Sequence, residues 1–290
     1  MTEVAGPLQP GVLYRMPVGF GPALGARQGP GGRSFTGAEH RCTHFSLTFA
    51  PDAERLAAVM PPGFRPSVEP RVVVQVNYNE DVAWLAGRDY SYVEVLISCV
   101  YEGETDVVEG DLVAVMWESM PDPIWPGREE IGLPKLFADI PAHEDTGSGT
   151  AIQASWRGFR FFEAEFDGLR VGPWDEGRVA AAEPSTRGTG GSETGRPRLY
   201  YKYIPRTGAI GEADAAYATM TPAGANPVRV VESWSGRGAV RFRPARWEDL
   251  PTFAQVVNGL DGLKLGDAVD ARMSRLVVSF NDIRDQRILS

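Results

Sequence analysis

Short runs in which apolar and polar residues alternate recur along most of this chain, and they constrain its fold more than any other feature. In residues 40–49, Phe45, Leu47 and Phe49 alternate with polar residues, as they do in a half-buried strand. The acidic, turn-like link at 102–110 favours an antiparallel meander. Further strand-like runs lie at 71–79, 90–101, 111–119, 150–166, 198–205, 226–236 and 239–244, with another toward the C-terminus. We therefore predict a β-rich α+β fold.

Helices are expected to be few and short. Pro51 and Asp52 begin one short helix, and the Pro-Pro-Gly sequence at 61–63 ends it. The segment 120–137 contains four prolines. Because proline interrupts the helical hydrogen-bond ladder, no long helix can pass through this segment.

The chain is expected to form one domain with two irregular segments. Residues 1–33 are rich in glycine and proline and are predicted to form an extended N-terminal arm, while residues 34–290 form the domain. Residues 175–197 are small, polar and glycine-rich, which predicts a mobile loop.

Charge and composition exclude several classes of protein. The formal net charge of -9 argues against a nucleic-acid or anionic-membrane partner, since both need a basic surface. The two cysteines, Cys42 and Cys99, form no disulfide framework, so a reducing compartment is expected. Glycines and prolines interrupt the N-terminal region where a signal peptide needs an apolar stretch, and no apolar run has the length of a membrane span. These features predict a cytoplasmic protein.

Lysine is rare in this chain, and one lysine lies among apolar residues. The three lysines are Lys135, Lys202 and Lys264, and Lys135 stands in the apolar stretch 131–140. An amine that attacks a carbonyl must be uncharged, and burial can lower a lysine pKa to roughly 5–6. Such a shift costs on the order of 6 kcal/mol of stability, which a protein tolerates for a functional reason. The alternative is a lysine that extends its ammonium group from an apolar patch into water.

A metal site and a phosphate loop were also considered. His40, Cys42 and His44 share one strand face, and three ligands are the number that catalytic zinc sites use. Ligands so close on one strand rarely converge on a tetrahedral centre, and the chain has no CxxC or HExxH motif, so no metal is expected. The glycine-rich segments 29–32 and 188–191 lack the Lys-Ser/Thr pair of a phosphate loop.

The segment PGREEIGLPKLF at 126–137 resembles the active-site segment of the acetoacetate decarboxylase family. In that family, Gly-Arg-Glu is followed five residues on by Pro-Lys, and the same spacing joins residues 127–129 to Pro134 and Lys135 here. The resemblance extends over roughly residues 40–285. The other segments that show the resemblance are FSLTFAPDAERLAAVMPPGF (45–64), YVEVLISCVYEG (92–103), RLYYKYIPRTG (198–208) and VVESWSGRGAVRF (230–242).

The resemblance implies a fold, a reaction and a set of site residues. It implies mostly antiparallel sheets in a barrel- or cone-like body, a homo-oligomer, a small oxo acid as substrate and no cofactor, since the lysine does the chemistry. Lys135 would form the imine with the substrate, and Glu94 would act as general acid or base. The candidate substrate-binding residues are Gln75, Tyr92, Arg41, Glu129 and Trp125, the last of them as an aromatic wall. The alternatives are that Glu94 faces outward from its strand and that Glu129 pairs with Arg128 or shapes the proline-rich segment.

Three departures from the family pattern change the expected reaction. Leu136 replaces the second lysine of the decarboxylase, and Gln75 replaces a second carboxylate. The family's arginine on the first strand falls at Cys42, with Arg41 one residue off. We therefore expect aldolase-dehydratase chemistry on a 2-oxo acid. The alternatives are decarboxylation of a 3-oxo acid and a protein that binds a small molecule without catalysis.

Overall fold

Fourteen strands form one continuous sheet in the computed structural model, which describes residues 8–171, 195–280 and 286–290. The strands are β1 (Glu39–Phe49), β2 (Phe64–Pro66), β3 (Val72–Val82), β4 (Arg88–Glu102), β5 (Val107–Glu118), β6 (Lys135–Phe137), β7 (Glu144–Asp145), β8 (Gly149–Trp156), β9 (Phe159–Val171), β10 (Arg198–Pro205), β11 (Ala213–Thr221), β12 (Val228–Phe242), β13 (Asp270–Ser279) and β14 (Arg287–Ile288). The predicted β-rich α+β class is confirmed.

The sheet is mixed and mostly antiparallel, as predicted, but its hydrogen-bonded ladder does not close into a barrel. Its order is β14-β11-β10-β5-β4-β3-β1-β13-β12-β9-β8-β7, with β2 paired to β4 and β6 paired to β5. All pairs are antiparallel except β5 with β6 and β5 with β10. In the part of the chain that the structure describes, the end strands β7 and β14 have two residues each and do not pair with one another. The hydrogen-bonded ladder therefore has two edges.

The predicted meander is confirmed, and two neighbouring predictions need correction. Strands β3, β4 and β5 pair antiparallel in succession. The run at 150–166 is a hairpin of β8 and β9, because Arg157 and Gly158 both have positive φ and turn the chain between them. The runs at 226–236 and 239–244 form one long strand, β12.

Two of the longer elements escaped the sequence patterns, as did the short strands β2, β6 and β7. Strand β11 is rich in alanine, so its alternation carries little apolar contrast. The helix α3 (Ala254–Gly262) buries only Val257 and Leu260, which is a weak helical pattern.

The remaining helical elements are short, as expected. In α1 (Ala53–Ala57), the Asp52 carboxylate accepts hydrogen bonds from the first backbone N–H groups of the helix. The helix α2 (Ile124–Pro126) continues into a π-type turn, Gly127–Ile131. Single turns lie at Val18–Phe20, Pro30–Gly32 and Ala83–Leu85. No described helix is long and apolar enough to cross a bilayer. Of the predicted mobile loop, 175–197, residues up to 194 lie outside the described residues.

The central strands β1, β3, β4 and β5 have one apolar face and one face where polar residues lie beside a second, smaller apolar cluster, and this division positions the site. The apolar face packs against β8, β9 and α3 to form the main core. Alternate residues of a strand point to opposite faces, so the intervening polar residues share the other face. The core residues on these strands include Phe45, Leu47, Val74, Val76, Val93, Val95, Val115 and Trp117.

Candidate active site

A cavity of about 280 Å³ lies on the polar face of the central strands. Its walls come from β1, β3, β4, β5, β10, β12 and β13, from the proline-rich segment 123–135 and from the N-terminal arm. Residues far apart along the chain therefore face one another across one cavity.

The strand register arranges the polar residues in two adjacent rows. Each row contains residues that are direct partners on neighbouring strands, so their side chains point to the same face. One row contains Ser274, His44, Asn77, Tyr92 and Glu118. The next row contains Ser46, Gln75, Glu94, Met116 and Lys135.

Lys135 lies at the end of the second row, with its side chain turned inward. The residue is 9% exposed. Its Nζ donates a hydrogen bond to the Pro123 carbonyl at 2.9 Å and lies 2.7 Å from Glu118 Oε1. Arg128 donates to the Lys135 carbonyl at 2.8 Å and holds the backbone in place. The amine is thus directed into the protein rather than into bulk water.

Glu118 is the partner of Lys135, and the sequence patterns did not single it out. The residue is 1% exposed, and among the described residues its Oε2 has no hydrogen-bond partner. Burial raises the pKa of Glu118, although the charge of Lys135 acts in the opposite direction. A carboxylate in this setting accepts a proton more readily than a surface glutamate. One sequence signal for Glu118 was available. It lies two residues after Met116 and directly after Trp117, so its side chain is on the strand face opposite Trp117.

Glu94 lies beside the cavity, where it pairs with Arg198. Its two carboxylate oxygens are each 2.9 Å from a guanidinium nitrogen of Arg198, and Gln75 Oε1 accepts from the same guanidinium at 3.4 Å. Glu94 and Gln75 are fully buried and do not line the cavity, whereas Arg198 does. Burial opposes the charge of Arg198, but Glu94, Tyr92 and Tyr200 together outweigh it, and the pKa of Arg198 is raised. The cavity therefore has a permanent cation in its wall.

The other predicted substrate-binding residues divide into two groups. Tyr92 lines the cavity, and burial raises its pKa, so its hydroxyl keeps its proton. Arg41, Glu129 and Trp125 do not line it. The Arg41 side chain is 67% exposed and pairs with Glu80 and Asp81 at the surface, because it lies on the strand face opposite Cys42.

The helix α2 and the π-type turn that follows it determine where the side chains of Trp125 and Glu129 point. Both side chains are exposed, and the backbone carbonyl of Glu129 accepts a hydrogen bond from Lys202. The turn directs its buried positions, Pro126, Gly127 and Ile131, toward the cavity and these two residues away from it.

The three residues considered as metal ligands line the far wall of the cavity. His44 Nδ1 is 2.8 Å from Asn77 Oδ1, and His40 Nε2 is 3.1 Å from Asn79 Oδ1. Burial raises the pKa of the Cys42 thiol to about 12, so the sulfur stays protonated. Within residues 8–171, 195–280 and 286–290, no group of three or more His, Cys, Asp or Glu side chains is arranged to hold a metal ion.

Gly127 gives the Lys135 side chain its space, and an added methyl group should displace it. A Cβ at this position would lie 2.5 Å from Lys135 Cδ and 3.0 Å from Nζ. We expect Gly127→Ala to lower the rate of any reaction that uses the Lys135 amine by about 10- to 100-fold, because a small misplacement of a reacting group is costly. Gly262→Ala is the matched control, since its Cβ meets nothing within 4 Å. Equal activities in the two variants would contradict this assignment.

The N-terminal arm is anchored to the segment that contains Lys135. Arg15 and Arg27 each form an ion pair with Glu130, at 2.8 and 2.5 Å. All three side chains are largely buried, and Ala26 and Arg27 of the arm also line the cavity. The arm therefore forms part of the cavity wall.

Removing the Glu130 carboxylate should loosen the arm. We expect Glu130→Gln to lower the free energy of unfolding by about 1–3 kcal/mol, because two guanidinium groups lose a charged acceptor. Trypsin should then cleave after Arg15 and Arg27 faster than in the parent protein. Glu232→Gln, at an exposed ion pair with Arg275, is the control and should leave both measurements unchanged. Equal proteolysis of the two variants would show that Glu130 does not hold the arm.

Comparisons with known proteins address the family and the fold. A family model described as acetoacetate decarboxylase (ADC) matches residues 15–277. A solved acetoacetate decarboxylase is 16% identical over 87% of this chain and 88% of its own, with a TM-score of 0.65. The acetoacetate decarboxylase of Legionella pneumophila subsp. pneumophila str. Philadelphia 1 is 18% identical, over 90% and 92%, with a TM-score of 0.65.

A third solved structure belongs to an enzyme with a different description. The enduracididine biosynthesis enzyme MppR, complexed with pyruvate, is 17% identical over 99% of each chain, with a TM-score of 0.59. A comparison with curated proteins finds no match. At these identities the likeness to solved structures shows a shared fold.

Proposed function

The chain belongs to the acetoacetate decarboxylase family, and we propose that it is a lyase that forms an imine between Lys135 and a small 2-oxo acid. The observation that carries this proposal is a buried amine that lines a cavity and lies 2.7 Å from a buried carboxylate. An amine in such a place can lose its proton to a neighbouring base and attack a carbonyl. No organic cofactor is required, because the lysine provides the electron sink.

The reaction begins with the addition of the neutral Lys135 amine to C2 of the oxo acid. Loss of the C2 oxygen as water leaves a protonated imine, which withdraws electrons from the neighbouring carbons. Arg198 provides the positive charge that holds the substrate carboxylate. Its pairing with Glu94 fixes the guanidinium in one orientation, so Glu94 acts as a positioning residue.

Glu118 is the proton acceptor in this proposal. It removes a proton from C3 of the imine, and the resulting enamine carbon forms a bond to the carbonyl carbon of an aldehyde. The aldehyde oxygen takes up the proton held by Glu118 and becomes a hydroxyl group. Glu118 then removes the second C3 proton, the hydroxyl group leaves with that proton as water, and a carbon–carbon double bond forms. A second water hydrolyses the imine to free the amine. The net reaction converts one oxo acid and one aldehyde into an unsaturated oxo acid and water.

Two observations favour aldol addition and dehydration over decarboxylation. Both reactions need a base to free the amine, but only the aldol route also needs a base at C3, and Glu118 lies against the amine where it can take that proton. In addition, MppR is described in complex with pyruvate and with the condensation product of pyruvate and imidazole 4-carboxaldehyde. The decarboxylation of a 3-oxo acid remains the second candidate, since two solved relatives of the fold are acetoacetate decarboxylases.

Borohydride trapping tests the proposal. The protein is incubated with pyruvate or acetoacetate, reduced, digested and analysed by mass spectrometry. We expect a reduced pyruvate adduct on Lys135 and, with an added aldehyde, an unsaturated oxo acid. Release of CO2 from acetoacetate would favour the decarboxylase instead. The absence of an adduct with every member of a panel of oxo acids would favour a binding protein without catalysis.

A further inference from the structure

The hairpin of β10 and β11 places one of its side-chain faces over the site. Alternate residues of a strand share a face, and direct partners on paired strands point to the same side. This face consists of three opposed pairs, which are Arg198 with Thr221, Tyr200 with Thr219, and Lys202 with Tyr217. The pair at the start of β10 and Tyr200 line the cavity, whereas Thr219 and Lys202 do not. These last two residues contact the π-type turn that precedes Lys135.

The turn lies where the sheet divides. Strand β5 pairs with β10 only at Asp111 and Leu112, and it pairs with β6 further along, at Met116–Glu118. Among the described strands, β6 pairs with β5 alone, so no ladder joins it to the hairpin. The turn that leads into β6 is therefore connected to the hairpin through side chains.

Two backbone carbonyls of the turn accept hydrogen bonds from this hairpin face. Thr219 Oγ1 donates to the Ile131 carbonyl at 2.8 Å, and Lys202 Nζ donates to the Glu129 carbonyl at 2.6 Å. The last carbonyls of a helical segment have no partner within the segment, so these bonds satisfy them from outside. A Cβ at Gly132 would lie 2.5 Å from Lys202 Cβ, which shows how closely the turn packs against β10.

The turn in turn holds the backbone of Lys135. Leu133 N–H donates to the Gly127 carbonyl at 3.0 Å, and Lys135 N–H donates to the Leu133 carbonyl at 2.8 Å. Arg128, within the turn, donates to the Lys135 carbonyl. Because Arg198 is on the same hairpin face as Thr219 and Lys202, the hairpin connects the cation in the cavity wall to the segment that contains the amine.

We propose that Thr219 and Lys202 are positioning residues, which hold the turn against the hairpin and so set the Lys135 amine at attack distance from an oxo acid bound to Arg198. The inference rests on the proposed function. Attack on a carbonyl needs the reacting atoms about 3–3.5 Å apart. Loss of either hydrogen bond lets the amine shift while Arg198 still binds the carboxylate. Imine formation then slows, and the affinity for the oxo acid is unchanged.

The test measures formation of the reduced Lys135 adduct over a series of pyruvate concentrations. It yields a saturating rate and a half-saturating concentration, which reports binding when the chemical step is slow. Thr219→Val keeps the shape of the side chain and removes its hydroxyl group. We expect the saturating rate to fall by about 5- to 50-fold in this variant, with the half-saturating concentration within about twofold of the parent value. Thr219→Ser keeps the hydroxyl group and should recover most of the rate.

Lys202→Met tests the second hydrogen bond. We expect a smaller fall in the saturating rate, about 2- to 10-fold, because this bond is exposed to water. The half-saturating concentration should again stay near the parent value.

Ser98→Ala is the matched control for the loss of a buried hydroxyl group. Ser98 is 4% exposed, its Oγ accepts from the Arg71 backbone N–H at 2.7 Å, and it does not line the cavity. Both kinetic values should stay unchanged in this variant.

Four results would overturn the inference while the parent adduct persists. They are an unchanged rate in Thr219→Val or Lys202→Met, an equal loss in Ser98→Ala, no recovery in Thr219→Ser, and a half-saturating concentration that rises as the rate falls. A parent protein that traps no oxo acid overturns the proposed function itself, and the inference with it.

Discussion

Lys135→Met is expected to abolish the borohydride-trapped adduct and to lower turnover by at least about 10³-fold. Methionine has nearly the length of lysine but no amine, so no imine can form and the electron sink is lost. The substitution also leaves Glu118 buried without its cation. We therefore expect Glu118 to be protonated in the variant. Raising the pH should then lower the free energy of unfolding of the variant, because the buried carboxyl must lose this proton. Mass spectrometry and steady-state rates measure the first two effects, and urea denaturation measures the third.

Lys264→Met is the control for this prediction. Lys264 forms an exposed ion pair with Asp261, and a pair of this kind contributes little. The control should keep the parent activity and the adduct. Because the chain has three lysines, a persistent adduct in Lys135→Met could lie only on Lys202, Lys264 or the N-terminus. Such an adduct with retained turnover would refute the role of Lys135.

Glu118→Gln is expected to lower kcat by about 10²- to 10⁴-fold, the range over which general acid and base groups contribute. The substitution keeps the size of the side chain and its contact with Lys135, but glutamine cannot accept a proton from C3. Formation of the imine should continue more slowly, so the adduct should still appear after long incubation. Glu163→Gln, at a surface pair with Arg160, should have no effect. An unchanged kcat in Glu118→Gln would assign the proton transfer to another group.

The raised pKa of Glu118 also predicts a pH dependence of stability. The native protein holds this proton at pH values where the unfolded chain has released it. The stability from Glu118 is therefore fully present below the unfolded pKa and is lost as the pH rises through the folded pKa. In Glu118→Gln this decrease should be absent. Denaturation curves of the two proteins from acid to neutral pH provide the comparison, and parallel curves would contradict the shift.

Local sequence patterns were sufficient for the fold class and for the nucleophile candidate. Alternation within β1, β3, β4 and β5 indicated strands, because a half-buried strand repeats every two residues. The prolines of 120–137 excluded a long helix, and only a three-residue helix and one π-type turn occur there. The motif around Lys135 needed no tertiary information, because it lies within twelve consecutive residues.

The predicted site residues lie in different places relative to the cavity, and the strand faces explain why. Tyr92 lines the cavity, whereas Arg41 occupies an adjacent position that points the other way. Glu94 is on the polar face, but Arg198 lies between it and the cavity, 104 positions away in sequence. No local pattern marks Arg198 as its partner.

The sequence by itself determined which residues share a strand face, that the chain is β-rich, and that an amine lies in an apolar segment. Only the tertiary structure decided that Glu118 contacts this amine, that Arg198 lines the cavity and that Thr219 and Lys202 contact the turn before Lys135. The physical reason is that the two-residue period of a strand assigns each side chain to a face of the sheet but does not specify which residues of other strands lie beside it. Those neighbours depend on the pairing of strands that are distant along the chain, here the parallel pairing of β5 with β6 and β10.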